Sequence, residues 1–599
     1  MRPNQSNPSL AALVLLGLAC AATANAQNVI TYHVEPHTTD KTLQIRMDIP
    51  HVSDLTVRVQ IPIWSPGAYM VGNYANNIAN IAAEDGSHKK LRTYHPDQNT
   101  WEIAANGAKS VSVQYTVKNV DLEEANGAPR RGHISGPRTY MYVVNRKTDP
   151  TFLMVNAFPE WKVATSLDPA ALEARPTMHG FLAPNYDVMA DAPVEMGDYA
   201  EKNFTVKGVP LKVVLYGDYS QVDQDKLTGY CKRVAETETA FMGDIPFKRY
   251  VFMFRSSGNN GRGAGGLEHL GSTEITLRGI IDDRVRSVIA HEFFHLWNVK
   301  RARPRVLGPF DYTGPNHTRN LWWSEGVTSY YGDLLSRRGG LNTDDEYLNH
   351  LGATIGQLQN TPARLKVTAD DSSYKVWDGG GSQGYGQLSY YTKGELIGLC
   401  LDLKIREVTG NRHSLDDVMH ALYLQCGRGE KPGFDEDDIK KTANRVAGTD
   451  LSSFYDLLAR STEEMPFTEC LAYAGLTLTK SETPTLTPNP GAAFFPDMPA
   501  GGLRVRFVSA GGAAEMAGLK ADDLIVTVDG KPALDPDGTL RRNPRTDTPY
   551  ELVVERDGQK QNITFKVGVN RTYPFVLKPD AGATPRQVHL RESWLSGKS

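Results

Sequence analysis

The stretch DDRVRSVIAHEFFHLWNVKRARP, residues 282–304, decides how the rest of the chain is read. Val285, Val288, Ile289 and Leu296 recur at three- and four-residue steps, the spacing of one buried helical face. Asp282 or Asp283 can cap the first free N–H groups and oppose the positive end of the helix dipole. Pro304 stops the segment, because its ring clashes with a continuing helix. The spacing therefore predicts one helix over 282–304. Within it stands His291-Glu292-x-x-His295. The four-residue step stacks both imidazoles on one face, where their nitrogens can converge on a single metal ion. Glu292 lies about a third of a turn away at roughly 3.6 residues per turn. That puts its carboxylate beside the metal, placed to hold the metal's water.

Chance alone would give this motif in about one chain in fifty of this His and Glu content, so a histidine pair serving only packing is the plain alternative. Zinc also needs a third protein ligand and an open position for water. Leu321-Trp-Trp-Ser-Glu-Gly-Val-Thr-Ser-Tyr-Tyr331 opens a second predicted helix, with Val327, Tyr331, Leu334 and Leu335 on its apolar side and Gly339-Gly340 at its end. Glu325, flanked by aromatics near the start of that helix, is the candidate third ligand.

His-Glu-Phe-Phe-His-Leu-Trp-Asn-Val-Lys-Arg-x-Arg-Pro followed by Trp-Trp-Ser-Glu-Gly-Val-Thr-Ser-Tyr-Tyr resembles the glycyl aminopeptidase family, bacterial gluzincins more distantly similar to aminopeptidase N. Trp64-Ser-Pro-Gly-Ala-Tyr69 and a PDZ-like C-terminal segment extend the likeness over most of the chain. The resemblance implies one Zn2+ held by His291, His295 and Glu325 in a thermolysin-like, mainly helical catalytic domain. Gly265-Gly266-Leu267-Glu268-His269 is similar to the Gly-Ala-Met-Glu-Asn segment of aminopeptidase N. That likeness implies Glu268 as anchor of the substrate's amino group, with Gly265 and Gly266 lining the substrate; His269 departs from the Asn. Tyr391-x-Lys393-Gly394 is similar to the segment whose Tyr stabilises the tetrahedral intermediate, which implies Tyr391 rather than Tyr390. Trp64-Ser-Pro-Gly-Ala-Tyr69 reads as a tight turn over buried aromatics, with no chemistry assigned to it.

At 599 residues the chain should hold several domains, giving a multidomain α+β fold. Hydrophobic residues at 40% and charged residues at 22% are ordinary for a globular protein, and a net charge of −4 argues against nucleic acid or an anionic membrane as partner. Residues 1–26 read as a signal peptide: Arg2, an apolar run over 10–19 too short to span a bilayer, and Ala24-Asn25-Ala26 as cleavage site. Gly17-Leu-Ala-Cys20 only hints at a lipoprotein signal. Cys231, Cys400, Cys426 and Cys470 show no Cys-x-x-Cys spacing; a Cys426–Cys470 bridge is permitted but not indicated.

Residues 27–205 carry alternating runs at 42–49, 55–61 and 111–117, the pattern of an antiparallel β-domain. Residues 206–480 are read as the catalytic domain, with strands at 211–216, 250–254 and 272–277 and a helix at 224–242. The Gly-rich run at 258–266 fails as a phosphate loop, because no Gly-Lys-Ser/Thr and no helix follow it. Five prolines mark 481–499 as an extended linker. Beyond it, Leu503–Val508, Gly512–Leu519, Asp522–Gly530 and Tyr550–Val554 resemble a PDZ domain over 500–576, which would bind an extended peptide at a sheet edge, and 577–599 read as a polar tail. The sequence thus predicts an exported, periplasmic or secreted zinc metallopeptidase acting on peptide substrates, most simply an aminopeptidase releasing Gly or Ala. Its rivals are an exported PDZ-containing endopeptidase and a PDZ peptide-binding protein with a non-catalytic zinc site.

Overall fold

The computed structural model describes residues 28–170, 177–257, 264–379, 384–428, 432–534, 539–542 and 544–598. The signal peptide expected at 1–26 and most of the Gly-rich run, 258–263, lie outside the described residues. Among the described residues no helix is long and apolar enough to cross a membrane.

The chain divides into two compact units, one of residues 1–347, 361–476 and 579–599, the other of residues 348–360 and 477–578. The first begins with the expected β-rich region. Thr42–Ile49 pairs antiparallel with both Ile30–His37 and Val111–Val117 inside an eight-stranded sheet. The expectation of a purely antiparallel domain needs one correction: Ile30–His37 and Thr151–Asn156 run parallel. Their alternating buried residues, Tyr32, Val34, Leu153 and Val155 among them, fill one core shared with two four-stranded sheets.

A five-stranded sheet follows, ordered Ala200–Val206, Val209–Asp218, Tyr250–Ser257, Ser272–Leu277 and Ala264–Glu268. The predicted helix Gln224–Met242 connects its second and third strands, with a side-chain cap from Asp223. Ala264–Glu268 is the antiparallel edge strand, so the part of the Gly-rich run that is described is sheet rather than loop. Beyond the sheet the unit is mostly helical. Tyr250 meets Phe293 edge-on and Phe252 stacks on it, at 4.9 and 5.5 Å between ring centres, fixing the helix Asp283–Phe294 to the sheet.

Three glycines let the helices close up. A Cβ on Gly332 would stand 3.0 Å from the His291 backbone N, and one on Gly326 would stand 2.4 Å from the Gly394 Cα. Reciprocally, a Cβ on Gly394 would stand 2.2 Å from the Trp322 carbonyl oxygen. Backbone-to-backbone approach of this kind admits no side chain. It draws the segment bearing Glu325 between the His-Glu-x-x-His helix and the helix Tyr390–Thr409.

The C-terminal residues depart from the expected polar tail. Pro585–Ser596 is a helix with a capping box between Thr584 and Gln587, and Trp594 is fully buried with its Nε1–H donating to the Tyr330 hydroxyl at 2.8 Å. The Thr-x-x-Gln spacing was a legible helix start.

The second unit has its own core of Phe494, Val505, Ile525, Leu552, Val554 and Phe565 in a six-stranded sheet. Its first strand, Ala492–Asp497, lies within the expected linker, and Thr485–Asn489 pairs with Gly568–Thr572. Proline is tolerated here because these strands lie at edges, where a missing N–H leaves no ladder bond broken.

Candidate active site

The His-Glu-x-x-His helix starts where expected, with the Asp282 carboxylate accepting from Arg284 N and Val285 N at 3.1 and 3.4 Å. It ends at His295 rather than Pro304. The residues beyond His295 find better partners outside a helix. His295 Nδ1–H donates to the Asn298 carbonyl at 2.7 Å, and the Asn298 amide donates to Trp323 O and Thr328 Oγ1, each at 3.0 Å. Lys300 turns back to pair with buried Asp191 at 2.9 Å. Side-chain bonds to neighbouring backbone compete with the helical ladder and here they win.

Glu325 lies in a π-helical segment, Trp322–Val327, that leads into the helix Thr328–Arg338. Such wide turns are frequent at functional sites. His291 Nε2 and His295 Nε2 are 3.0 Å apart, and Glu325 Oε2 lies 3.4 and 3.3 Å from them. Tetrahedral zinc with bonds of about 2.0–2.1 Å separates its ligands by about 3.3 Å, so this donor set fits that ion in chemistry and in spacing. The outer nitrogens are also bound in a way that leaves both Nε2 lone pairs inward. His295 Nδ1–H is held by Asn298, and His291 Nδ1–H donates to Ser329 Oγ at 3.1 Å while that hydroxyl donates to Glu325 O.

The site is crowded with charge. Donor atoms of Glu268, Glu292 and His295 also lie within 4.8 Å of one another, and all three side chains are buried. Burial pushes the Glu292 carboxyl well above the ordinary range, the nearby carboxylates add to this, and the His295 imidazole opposes it. Burial acts the same way on Glu325, but the two imidazoles outweigh it and hold its carboxyl well below that range. Glu292 Oε2 is buried with no protein partner among the described residues, as suits an atom whose partner is not protein.

Glu268 closes the edge strand Ala264–Glu268 on the side that faces Glu292. Gly266 shares that side: a Cβ there would stand 2.2 Å from Glu292 Oε1. Gly265 is turned to the other face, where a Cβ would meet nothing within 4 Å among the described residues. The Tyr391 ring lies along His291, 5.9 Å between centres, and Tyr390 stacks on Tyr391 at 4.9 Å. His269 is buried between Asp191 at 3.2 Å and Glu274 at 3.3 Å.

Two residues at the site carried no assigned chemistry in the sequence. The Tyr69 hydroxyl donates to Glu325 Oε1 at 2.9 Å, across 256 residues of chain. Gly67 has a left-handed φ of 86°, and a Cβ on it would stand 2.8 Å from Glu268 Oε2. Both belong to Trp64-Ser-Pro-Gly-Ala-Tyr69, so the motif was visible while its reach into the site was not.

Residues 284–397 match the family model described as M61 glycyl aminopeptidase, and residues 31–198 match that of the peptidase M61 N-terminal domain. The chain carries a zinc metallopeptidase domain of the M61 glycyl aminopeptidase family. The M61 match spans both histidines, Glu325 and Tyr391, and with the His/His/Glu cluster it makes the chain a zinc-dependent peptidase of aminopeptidase type. No curated protein matches the chain. Among solved structures, an aminopeptidase N family protein from Idiomarina loihiensis is 24% identical with a TM-score of 0.76, covering 95% of this chain and 100% of its own, which shows a shared fold. An M1 zinc metallopeptidase from Deinococcus radiodurans is 12% identical with a TM-score of 0.48, over 73% of this chain and 95% of its own.

Proposed function

We propose that this M61 peptidase is an exported aminopeptidase that removes small N-terminal residues, Gly or Ala, from peptides. The observation that carries the reading is the position of Glu268. It is buried, it is not one of the three proposed ligands, and its donor atom lies within 4.8 Å of those of Glu292 and His295. A buried carboxylate is costly unless a cation meets it, and a substrate's α-ammonium is such a cation. A free N-terminus is therefore the substrate feature that completes the site.

In this reading His291, His295 and Glu325 hold one zinc ion. Zinc bound there supplies Lewis-acid polarisation of the scissile carbonyl and acidifies a water toward neutrality. Glu292 takes that water's proton and later delivers it to the departing amine. Its raised proton affinity suits a group that must both accept and release a proton near neutral pH. The Tyr391 hydroxyl, kept protonated by burial, donates to the developing oxyanion. Glu268 binds the α-ammonium, while Gly266, on the same side of the edge strand, leaves the room that the Glu292 carboxylate occupies. Preference for Gly or Ala rests on the family resemblance.

Residues 1–26 are assigned as the signal peptide and 500–576 as a PDZ domain that takes an extended peptide at a sheet edge. The separate core of residues 348–360 and 477–578 supports an independent module there. Hydrolysis of a matched pair, Ala-anilide and acetyl-Ala-anilide, tests the central claim. The free amine should be strongly preferred; equal hydrolysis would leave an endopeptidase.

A further inference from the structure

The N-terminal β-region sends one side chain to the metal site, and nothing in the established chemistry of the His-Glu-x-x-His cluster accounts for it. Tyr69 is 2% exposed, and its hydroxyl donates to Glu325 Oε1 while Glu325 Oε2 faces the two histidines. The two carboxylate oxygens are thus divided between a phenol and the metal position.

Tyr69 reaches Glu325 from a backbone conformation that a bulky residue seldom adopts. Its φ is 34°, on the left-handed side, two residues after Gly67 at 86°. An aromatic residue at positive φ is a true outlier, and strain of this kind persists only where the surroundings over-determine it. The surroundings here do so. Ala68 N donates to Ser65 O at 3.0 Å, closing the turn, and Ser65 Oγ and Tyr74 Oη are bonded at 2.9 Å. Trp64 Nε1–H donates to Asp311 O at 2.8 Å, and Trp377 wedges edge-on against both Trp64 and Tyr69. Trp377 packs against the phenol, and among the described residues the hydrogen bond of its hydroxyl goes to the Glu325 carboxylate.

We propose that Tyr69 is a positioning residue of the zinc site: its hydroxyl holds Oε1 so that Glu325 meets the metal through Oε2 alone, which keeps the remaining position open for water. The inference rests on the reading of Glu325 as third ligand. A bidentate carboxylate would occupy the position a catalytic zinc must keep free. Outer partners of this sort usually contribute 10–100-fold to metal affinity.

The test is zinc affinity of the full chain, measured by chelator competition, for wild type, Tyr69→Phe, Glu325→Gln and the double variant. Tyr69→Phe deletes only the hydroxyl and should weaken zinc binding about 10- to 100-fold, with the melting temperature of the zinc-free protein little changed. With zinc in excess part of the loss in peptidase activity should remain, because Oε1, no longer held by the phenol, can take the position that water needs. In the Glu325→Gln background the Tyr69→Phe change should add almost nothing, since its action runs through that carboxylate. Equal zinc affinity of wild type and Tyr69→Phe would overturn the inference while leaving the ligand reading intact. An additive loss in the double variant would overturn it too, by showing that Tyr69 acts elsewhere. Wild-type zinc affinity in Glu325→Gln and Glu325→Ala would overturn the ligand reading itself, and with it the role given to Tyr69.

Discussion

Gly266 lies directly against Glu292: a single methyl group on it would stand 2.2 Å from Oε1 and 2.3 Å from both Cγ and Cδ of the glutamate. The obstacle is a side chain, so the glutamate, not the backbone, would give way. Gly266→Ala should therefore fold and bind zinc normally yet lose activity by at least 10-fold, a change read as kcat/KM with zinc content measured alongside. Unchanged kcat/KM would mean that the Glu292 carboxylate need not stand where it does.

Glu292→Gln removes the proton acceptor without removing a ligand, so it should keep zinc and abolish turnover. His291→Ala, His295→Ala and Glu325→Ala should instead lose metal, each removing one of three protein ligands. Elemental analysis of the four purified variants separates the two classes. Full activity in zinc-replete Glu292→Gln would end the proposed mechanism.

Tyr391→Phe should lower kcat far more than it raises KM, since one lost transition-state donor costs on the order of 10²–10³ in rate. Tyr390 is the internal control, because the two rings stack and both lie near Glu325. If Tyr390→Phe has the large effect and Tyr391→Phe does not, the oxyanion donor has been misassigned by one residue.

Glu268→Ala should reduce kcat/KM on free-amine substrates about 10- to 100-fold, the worth of one charge-assisted hydrogen bond of roughly 1.5–3 kcal/mol. Zinc content should stay at the wild-type value. The variant should also lose most of the preference for Ala-anilide over its acetylated form. Retention of that preference would move the amine anchor to another group.

The network beside the site has a defined pH signature. Burial opposes the charge on His269, but Asp191 and Glu274 outweigh it and raise its pKa to about 9. Burial likewise opposes charge on Asp191, yet Lys300 and His269 bring it down to about 2; Glu274, facing His133, His269 and Arg138, is also near 2. A histidine raised in the folded state stabilises fully below its unfolded value of about 6.5, and that stabilisation is lost as pH climbs through about 9. The carboxylates contribute fully above about pH 4 and lose it as pH falls toward 2. The difference in melting temperature between wild type and His269→Gln should thus be largest between about pH 4.5 and 6.5 and shrink toward pH 9. A difference that stays constant from pH 6 to 9.5 would show that His269 is not held charged.

What the sequence determined by itself is local. Helical period and spacing placed His291, Glu292 and His295 on one helix, and alternation marked strands such as Thr42–Ile49 and Val111–Val117. Those signals are written in neighbours three, four or two residues apart, and a chain carries them without folding. The end of the helix at His295 was not legible, because the bonds that pull Asn298 and Lys300 out of it come from Trp323, Thr328 and Asp191. The tertiary structure alone decided which side of Ala264–Glu268 faces the cleft, and which glycines clear space for carboxylates. It alone joined Tyr69 to Glu325. No periodicity links residues 256 positions apart; only the packing of the β-region against the helices brings the phenol to the carboxylate.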